Sequence, residues 1–188
     1  MTSDQQRPAS EVELVPDDGL AQALSKALSG AAINIQTLKL LTNLDASERN
    51  ISSLAGLEYC TSLEGLSLEN NKVADLKPIS ALTSLELLSL NHNPVADMTA
   101  IGTLPELRQL FIGKTNVSDL NFITQLPRLE LFSFVYSQVT SLTELYFAVF
   151  VTKSNQRFQQ ILAYGNKLDA ASYAFAEALR NHGIDVSI

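Results

Sequence analysis

Between residues 41 and 168 the chain repeats one arrangement of apolar and polar positions. The pattern Leu-x-x-Leu-x-Leu-x-x-Asn-x-Val occurs complete at Leu63, Leu66, Leu68, Asn71, Val73 and again, 22 residues on, at Leu85, Leu88, Leu90, Asn93, Val95, and it restarts at Leu107. Such a period is too long for a helical or strand repeat and fits a supersecondary unit that stacks on copies of itself, because one unit alone leaves its hydrophobic face uncovered. Within each unit the alternation around the central leucine predicts a short strand with its leucines turned inward and the residues between them turned out. A return segment follows, marked by further apolar positions such as Leu76, Ile79 and Leu82.

This consensus is the signature of leucine-rich repeats. The fold it predicts is a right-handed α/β solenoid with a parallel concave sheet, closed by a helical N-terminal cap and a helix-strand C-terminal cap. Residues 14–188 are expected to form one domain: a cap over 14–40, about six repeats over 41–168 and a second cap over 169–188. The repeats begin at Leu41, Leu63, Leu85, Leu107 and Leu129; the last recurs at Phe158, Ile161, Ala163, Asn166, after an offset of 29. Seven extra residues have therefore entered the return segment. They fall within 141–157, where Leu142, Leu145, Tyr146, Val149 and Phe150 have the spacing of a helix on the convex side.

The open ends of a solenoid need polar-faced caps. Val15-Pro16-Asp17-Asp18 is a helix start, with Leu20, Ala21, Leu24 and Leu28 at helical spacing and Gly30 as its stop, and a second short helix or turn is expected over 33–41. Residues 1–13, polar and rich in Ser and Gln, read as a disordered lead. At the far end Asp169 is a good N-cap for a helix over 170–182 carrying Tyr173, Ala176 and Leu179 on one face, with Gly183 past its end. Ile184, Val186 and Ile188 then alternate as a closing edge strand.

Two polar columns recur with the repeat. Asn71, Asn93 and Asn166 stand where the chain leaves the strand, and a carboxamide there satisfies backbone groups of its own and the neighbouring turn. Arg49, Thr115 and Ser137 occupy the same position in other repeats, so the ladder should be weakest at the fourth and fifth. Asp75, Asp97 and Asp119, with Ser53 equivalent, precede short turns. They read as caps rather than as calcium ligands, since the glycines and second carboxylates of calcium-binding repeats are missing. Pro78, Pro94, Pro105 and Pro127 fall in return segments, where no ladder donor is lost.

Composition narrows the function. With 13 Lys and Arg against 20 Asp and Glu the net charge is -7, which offers no basic stripe for nucleic acid or an anionic membrane but permits a basic partner. The longest apolar run, 145–152, is too short to span a bilayer. Cys60 is the single cysteine, so no internal disulfide forms. The polar start, without a basic or apolar leader region, leads us to expect a cytoplasmic protein, or else one secreted by a route without a cleavable signal peptide. Neither His92, His182 nor Cys60 belongs to a catalytic constellation, and no metal-ligand cluster or phosphate loop occurs. A metal site and a cofactor are therefore not expected, and an enzyme or enzyme subunit is kept only as a minority reading, in which activity would require a partner or a further domain.

Asn43-Leu-Asp-Ala-Ser47 with the run Ile51 to Leu63, and Gly165-Asn166-Lys-Leu168 with Gly183-Ile184-Asp-Val186, resemble the first and the closing units of bacterial leucine-rich repeat proteins of the internalin-like, 22-residue class. The resemblance spans roughly Val15 to Ile188. It implies a binding protein: a surface adhesin, a secreted effector or an intracellular scaffold. The chain departs from the secreted adhesins in showing neither signal nor wall anchor.

The register gives three outward columns on the concave sheet: Asn43, Gly65, Leu87, Gln109, Leu131, Gln160; then Asp45, Ser67, Ser89, Phe111, Ser133, Leu162; then Ser47, Glu69, Asn91, Gly113, Val135, Tyr164. The early repeats are polar and acidic, the later ones apolar. Leu87, Phe111, Leu131, Val135, Leu162 and Tyr164, with Glu69 and Asn91, are the expected partner-binding residues. The expected function is a non-catalytic scaffold or regulatory module binding a protein partner there, or an exported effector or surface protein that uses the same face on a host protein. Two other uses of the apolar stripe stay open: cover by the 141–157 insertion or a cap, and a homodimer through the concave face.

Overall fold

The computed structural model describes residues 14–188, and the expected disordered lead lies outside them. Seven parallel strands, β1 (Asn43–Asp45), β2 (Gly65–Ser67), β3 (Leu87–Ser89), β4 (Gln109–Phe111), β5 (Leu131–Ser133), β6 (Gln160–Leu162) and β7 (Asp185–Ser187), lie in chain order in one sheet. The pairings Leu66 with Leu88, Leu88 with Leu110, and Leu131 with Gln160 reproduce the 22-residue register and the single offset of 29. Each strand is only three residues long because the polar turn at the ladder position ends it.

Return segments are tight 3-10 turns at Leu57–Tyr59, Lys77–Ala81, Thr99–Thr103 and Asn121–Gln125. Asp75, Asp97 and Asp119 accept the backbone N–H two residues ahead at 2.8, 2.9 and 2.6 Å, and Ser53 does the same for Ala55 at 3.3 Å. This is the capping geometry that short polar side chains supply to free donors. Between strands and returns one continuous core runs from Val15 to Val186, with the repeat leucines fully buried. Phe132 and Phe134 replace leucines at β5 and stack at 4.8 Å, with Phe122 edge-on to Phe132 at 6.1 Å.

The residue before each ladder position is left-handed: Glu48, Asn70, His92, Lys114 and Tyr136 have φ between 54° and 58°, and Gly165 has 78°. His92 is thus a turn residue, placed by backbone geometry rather than by chemistry.

Helix α1 (Asp18–Ala27) precedes the first strand and packs beside β1. Asp17 starts it, with one oxygen accepting Leu20 N–H at 3.1 Å. Its other oxygen accepts Ser52 and Ser53 N–H at 2.9 and 3.1 Å, which ties the helix to the first return. A one-turn helix α2 (Ile35–Leu38) follows, with Asn34 and Thr37 forming a reciprocal capping box.

The insertion forms α3 (Thr143–Tyr146), which widens into a π turn over Phe147–Val151. It packs on the preceding return Asn121–Gln125 and on α4 (Ala170–Asn181), on the convex side. Tyr146 stacks on Phe150 and Phe175, each at 4.8 Å, and Phe150 meets the His182 ring at 5.0 Å. The insertion therefore leaves the concave stripe uncovered. Asn155, at the position of the return leucines Leu82, Leu104 and Leu126, is fully buried and donates to the carbonyls of Leu126 and Leu129 at 2.8 and 2.9 Å.

The face of α4 differs from expectation. Tyr173 is 57% exposed, and Ser172 is buried beside Ala176 and Leu179. The Ser172 hydroxyl donates to Asp169 at 2.6 Å and accepts Leu142 N–H at 2.9 Å. A small hydroxyl fits where the helix meets the end of the fifth repeat, and a phenol does not. After Gly183 (φ 94°), β7 adds to β6 with Val186 inward and Asp185 and Ser187 outward.

Candidate concave interface

The three outward columns fall where the period places them. In the first, Leu87, Gln109, Leu131 and Gln160 are neighbours on successive strands. In the second, Phe111 stands between Ser89 and Ser133, and Leu162 follows. Exposure is lower than simple alternation suggests. Leu87, Phe111, Leu131, Val135 and Leu162 are half-buried, and only Tyr164, at 44%, is exposed. The cause is crowding. Strands about 4.8 Å apart on a concave surface bring outward side chains into mutual contact, and the small Ser89, Gly113 and Ser133 are buried between larger neighbours.

Asn91 is partly committed to structure, since its carboxamide oxygen accepts Gly113 N–H at 2.7 Å. Glu69 is half-buried on the same face. A further aromatic, not foreseen from the alternation, joins the stripe: Tyr136, 54% exposed, meets Tyr164 edge-on at 5.7 Å. It sits in the left-handed turn column rather than on a strand and so escapes a period-two reading. Its ring lies over Gly165, where any Cβ would collide with it. A signal was present: Tyr136 is the one phenol in a column otherwise made of Glu48, Asn70, His92, Lys114 and Gly165.

The early half of the face is different. Gly65 has no side chain between Asn43 and Leu87, and a Cβ there would collide with Asn43 Oδ1. Its absence opens a shallow hollow of about 420 Å³ bordered by Asn43, Asp45, Glu64, Glu86, Leu87 and Arg108. The Ser47 N–H and hydroxyl hold the Asp45 carboxyl below its usual range, against slight burial and with help from Lys26 and Arg49, so it stays ionised. Arg108 reaches both ways along the rim, to Glu130 at 3.0 Å and Glu86 at 3.6 Å.

Cys60 is fully buried in the column of return leucines, and burial, with Glu58 adding, pushes its thiol up to about 12. No group of His, Cys, Asp and Glu able to hold a metal ion occurs among the described residues, nor is any helix among them long and apolar enough to cross a membrane.

Residues 61–106 match the family model for leucine-rich repeats in two copies. No curated protein matches the sequence. Among solved structures, internalin C2 of Listeria monocytogenes superposes with a TM-score of 0.63 at 21% identity, over 97% of this chain and 91% of its own. The functional domain of InlJ from the same organism, described as including a cysteine ladder, gives 0.73 at 21% identity, over 86% of this chain and 35% of its own. A leucine-rich repeat protein of Leptospira interrogans gives 0.69 at 19% identity, over 84% and 40%. The chain thus spans well under half of the last two. Period, sheet and superpositions agree on a leucine-rich repeat solenoid, similar in fold to the internalins.

Proposed function

We propose that the chain is a non-catalytic protein-interaction module, a scaffold or regulatory subunit, that receives a protein partner on its concave face. The observation that supports it is the apolar stripe Leu87, Phe111, Leu131, Val135, Leu162 and Tyr164, which continues across β3 to β6 while the insertion packs on the opposite side. A contiguous apolar stripe on a solvated sheet is the usual mark of an interaction surface. The sheet is about 29 Å wide over six strand spacings, enough for a modest protein interface. We place the module in the cytoplasm, where a lone thiol buried as an ordinary apolar group is at home. Recovery of the native full-length protein from the culture medium would replace that placement with export.

The face is tested by affinity capture from native lysate with the wild type beside a Phe111→Glu, Leu131→Glu variant, with light scattering on both. Capture of one protein by the wild type alone is the expected outcome. A wild type that is dimeric and captures nothing, beside a monomeric variant, would assign the stripe to self-association.

A further inference from the structure

Charge and apolar surface divide the concave face into two halves. In the first three repeats the outward columns and the rim position before them hold the carboxylates Asp45, Glu64, Glu69 and Glu86 and no Lys or Arg. In repeats four to six the same positions hold Glu130 and Arg108, which pairs with Glu130 at 3.0 Å and also reaches back to Glu86 at 3.6 Å, and otherwise only neutral or apolar residues. Asp45, Glu64 and Glu86 border the hollow that Gly65 opens, and the apolar half ends in the exposed pair Tyr136 and Tyr164.

Resting on the reading of the concave face as the partner site, we infer that its occupant is a basic protein segment: Lys or Arg side chains over β1 to β3, and an apolar or aromatic anchor over β5 and β6. With Glu86 paired to Arg108 and, among the described residues, no ion pair at Glu64 or Glu69, this half keeps a net acidic excess, which attracts a cationic partner, repels an acidic one and fixes the direction in which a segment lies across the sheet. The apolar half, with its aromatic pair, has the chemistry of an anchor. From β2 to β5 is three strand spacings, about 14 Å. That separation corresponds to about four residues of extended chain or about nine of helix between cation and anchor.

The probe is a displayed library of random peptides about 20 residues long, enough to cover that separation in either conformation. It is selected on the intact chain, and one selected peptide is then made and measured on folded variants with unchanged circular dichroism. We expect selected sequences rich in Lys and Arg beside an aromatic or aliphatic residue. Binding should weaken about tenfold in high salt and on Glu64→Gln with Glu86→Gln. A similar loss is expected on Leu162→Ser with Tyr164→Ser. Neutral or acidic peptides, or binding indifferent to salt and to the glutamate changes yet abolished by Phe111→Glu, would overturn the basic occupant and leave the concave site standing. Binding undisturbed by Phe111→Glu with Leu131→Glu, or no enrichment at all, would overturn both.

Discussion

The second and third repeats and the fourth and fifth share one backbone plan and bond it differently. Asn71 uses both ends of its carboxamide: the amide donates to Ala46 and Leu68 carbonyls at 2.9 and 2.8 Å, and the oxygen accepts Arg49 and Ile51 N–H at 3.0 and 2.9 Å. Asn93 repeats this with Leu68, Leu90 and Val73. Thr115 and Ser137 have one hydroxyl each, and both converge on the Ile112 carbonyl at 2.7 and 2.8 Å. Among the described residues neither accepts the amide corresponding to Ile51 and Val73. The same turn is thus held by a two-ended group in one half and a one-ended group in the other. The later half also carries larger core side chains, Phe122, Phe132 and Phe134.

That comparison depends on both halves sharing one register, and the sharpest way to break it is a charge on each side of the sheet. Leu88→Glu places an unpaired carboxylate in a fully buried strand position. The cost is about 5 kcal/mol or more, comparable with the stability of a whole domain, so the variant is expected to be unfolded by circular dichroism. Phe111→Glu, on the outward side, is expected to change stability by about 1 kcal/mol or less. A folded Leu88 variant or an unfolded Phe111 variant would refute the shared register.

Within that register the two ladders should differ in urea denaturation. Asn93→Ala strands a buried amide and weakens two carbonyl contacts, and about 2–4 kcal/mol is expected from several lost bonds. Ser137→Ala or Thr115→Ala removes one hydroxyl from a carbonyl that keeps another donor, and about 1 kcal/mol is expected. Equal losses in the two halves would mean that the carboxamide's second end contributes nothing. The converse variant, Thr115→Asn, extends the two-ended ladder into the fourth repeat and is expected to raise stability by about 1 kcal/mol.

Much of this molecule was legible in its sequence because its period forces it. An inward Leu at Leu66 dictates one at Leu88 and Leu110, and the outward columns, the Asp turns and the offset of 29 follow by counting. What escaped lies where the period stops constraining the chain. Tyr173 and Ser172 were exchanged because helical spacing alone leaves the angle of α4 against the last repeat undetermined by a residue or so. Asn155 was missed because a buried carboxamide replaces an apolar column member inside the insertion. Tyr136 was missed because a turn column carries no alternation. The lower exposure of the stripe is a property of curvature, which strand pattern does not encode.

The carboxylate-held first turn should also differ from the hydroxyl- and carboxamide-held later ones in its response to acid. Burial alone would raise the Asp17 carboxyl above its ordinary 3.8, but the N–H groups of Ser52, Leu20 and Ser53 and the Ser52 hydroxyl outweigh it and hold it lower. A folded-state value below the unfolded one means that the contribution is fully present above the unfolded value and is lost as pH falls through the folded one. The attachment of α1 to the first return should therefore weaken only below about pH 4, while the Asn71, Asn93, Thr115 and Ser137 contacts, which do not titrate there, persist. Hydrogen exchange at acid pH is expected to show residues 18–27 and 52–53 losing protection before residues 71–73 and 93–95. Asp17→Ala should reproduce that early loss at neutral pH, at a cost of about 1–2 kcal/mol. Simultaneous loss along the whole chain would show that the first turn is no weaker to acid than the ladder, and that the solenoid opens as one cooperative unit.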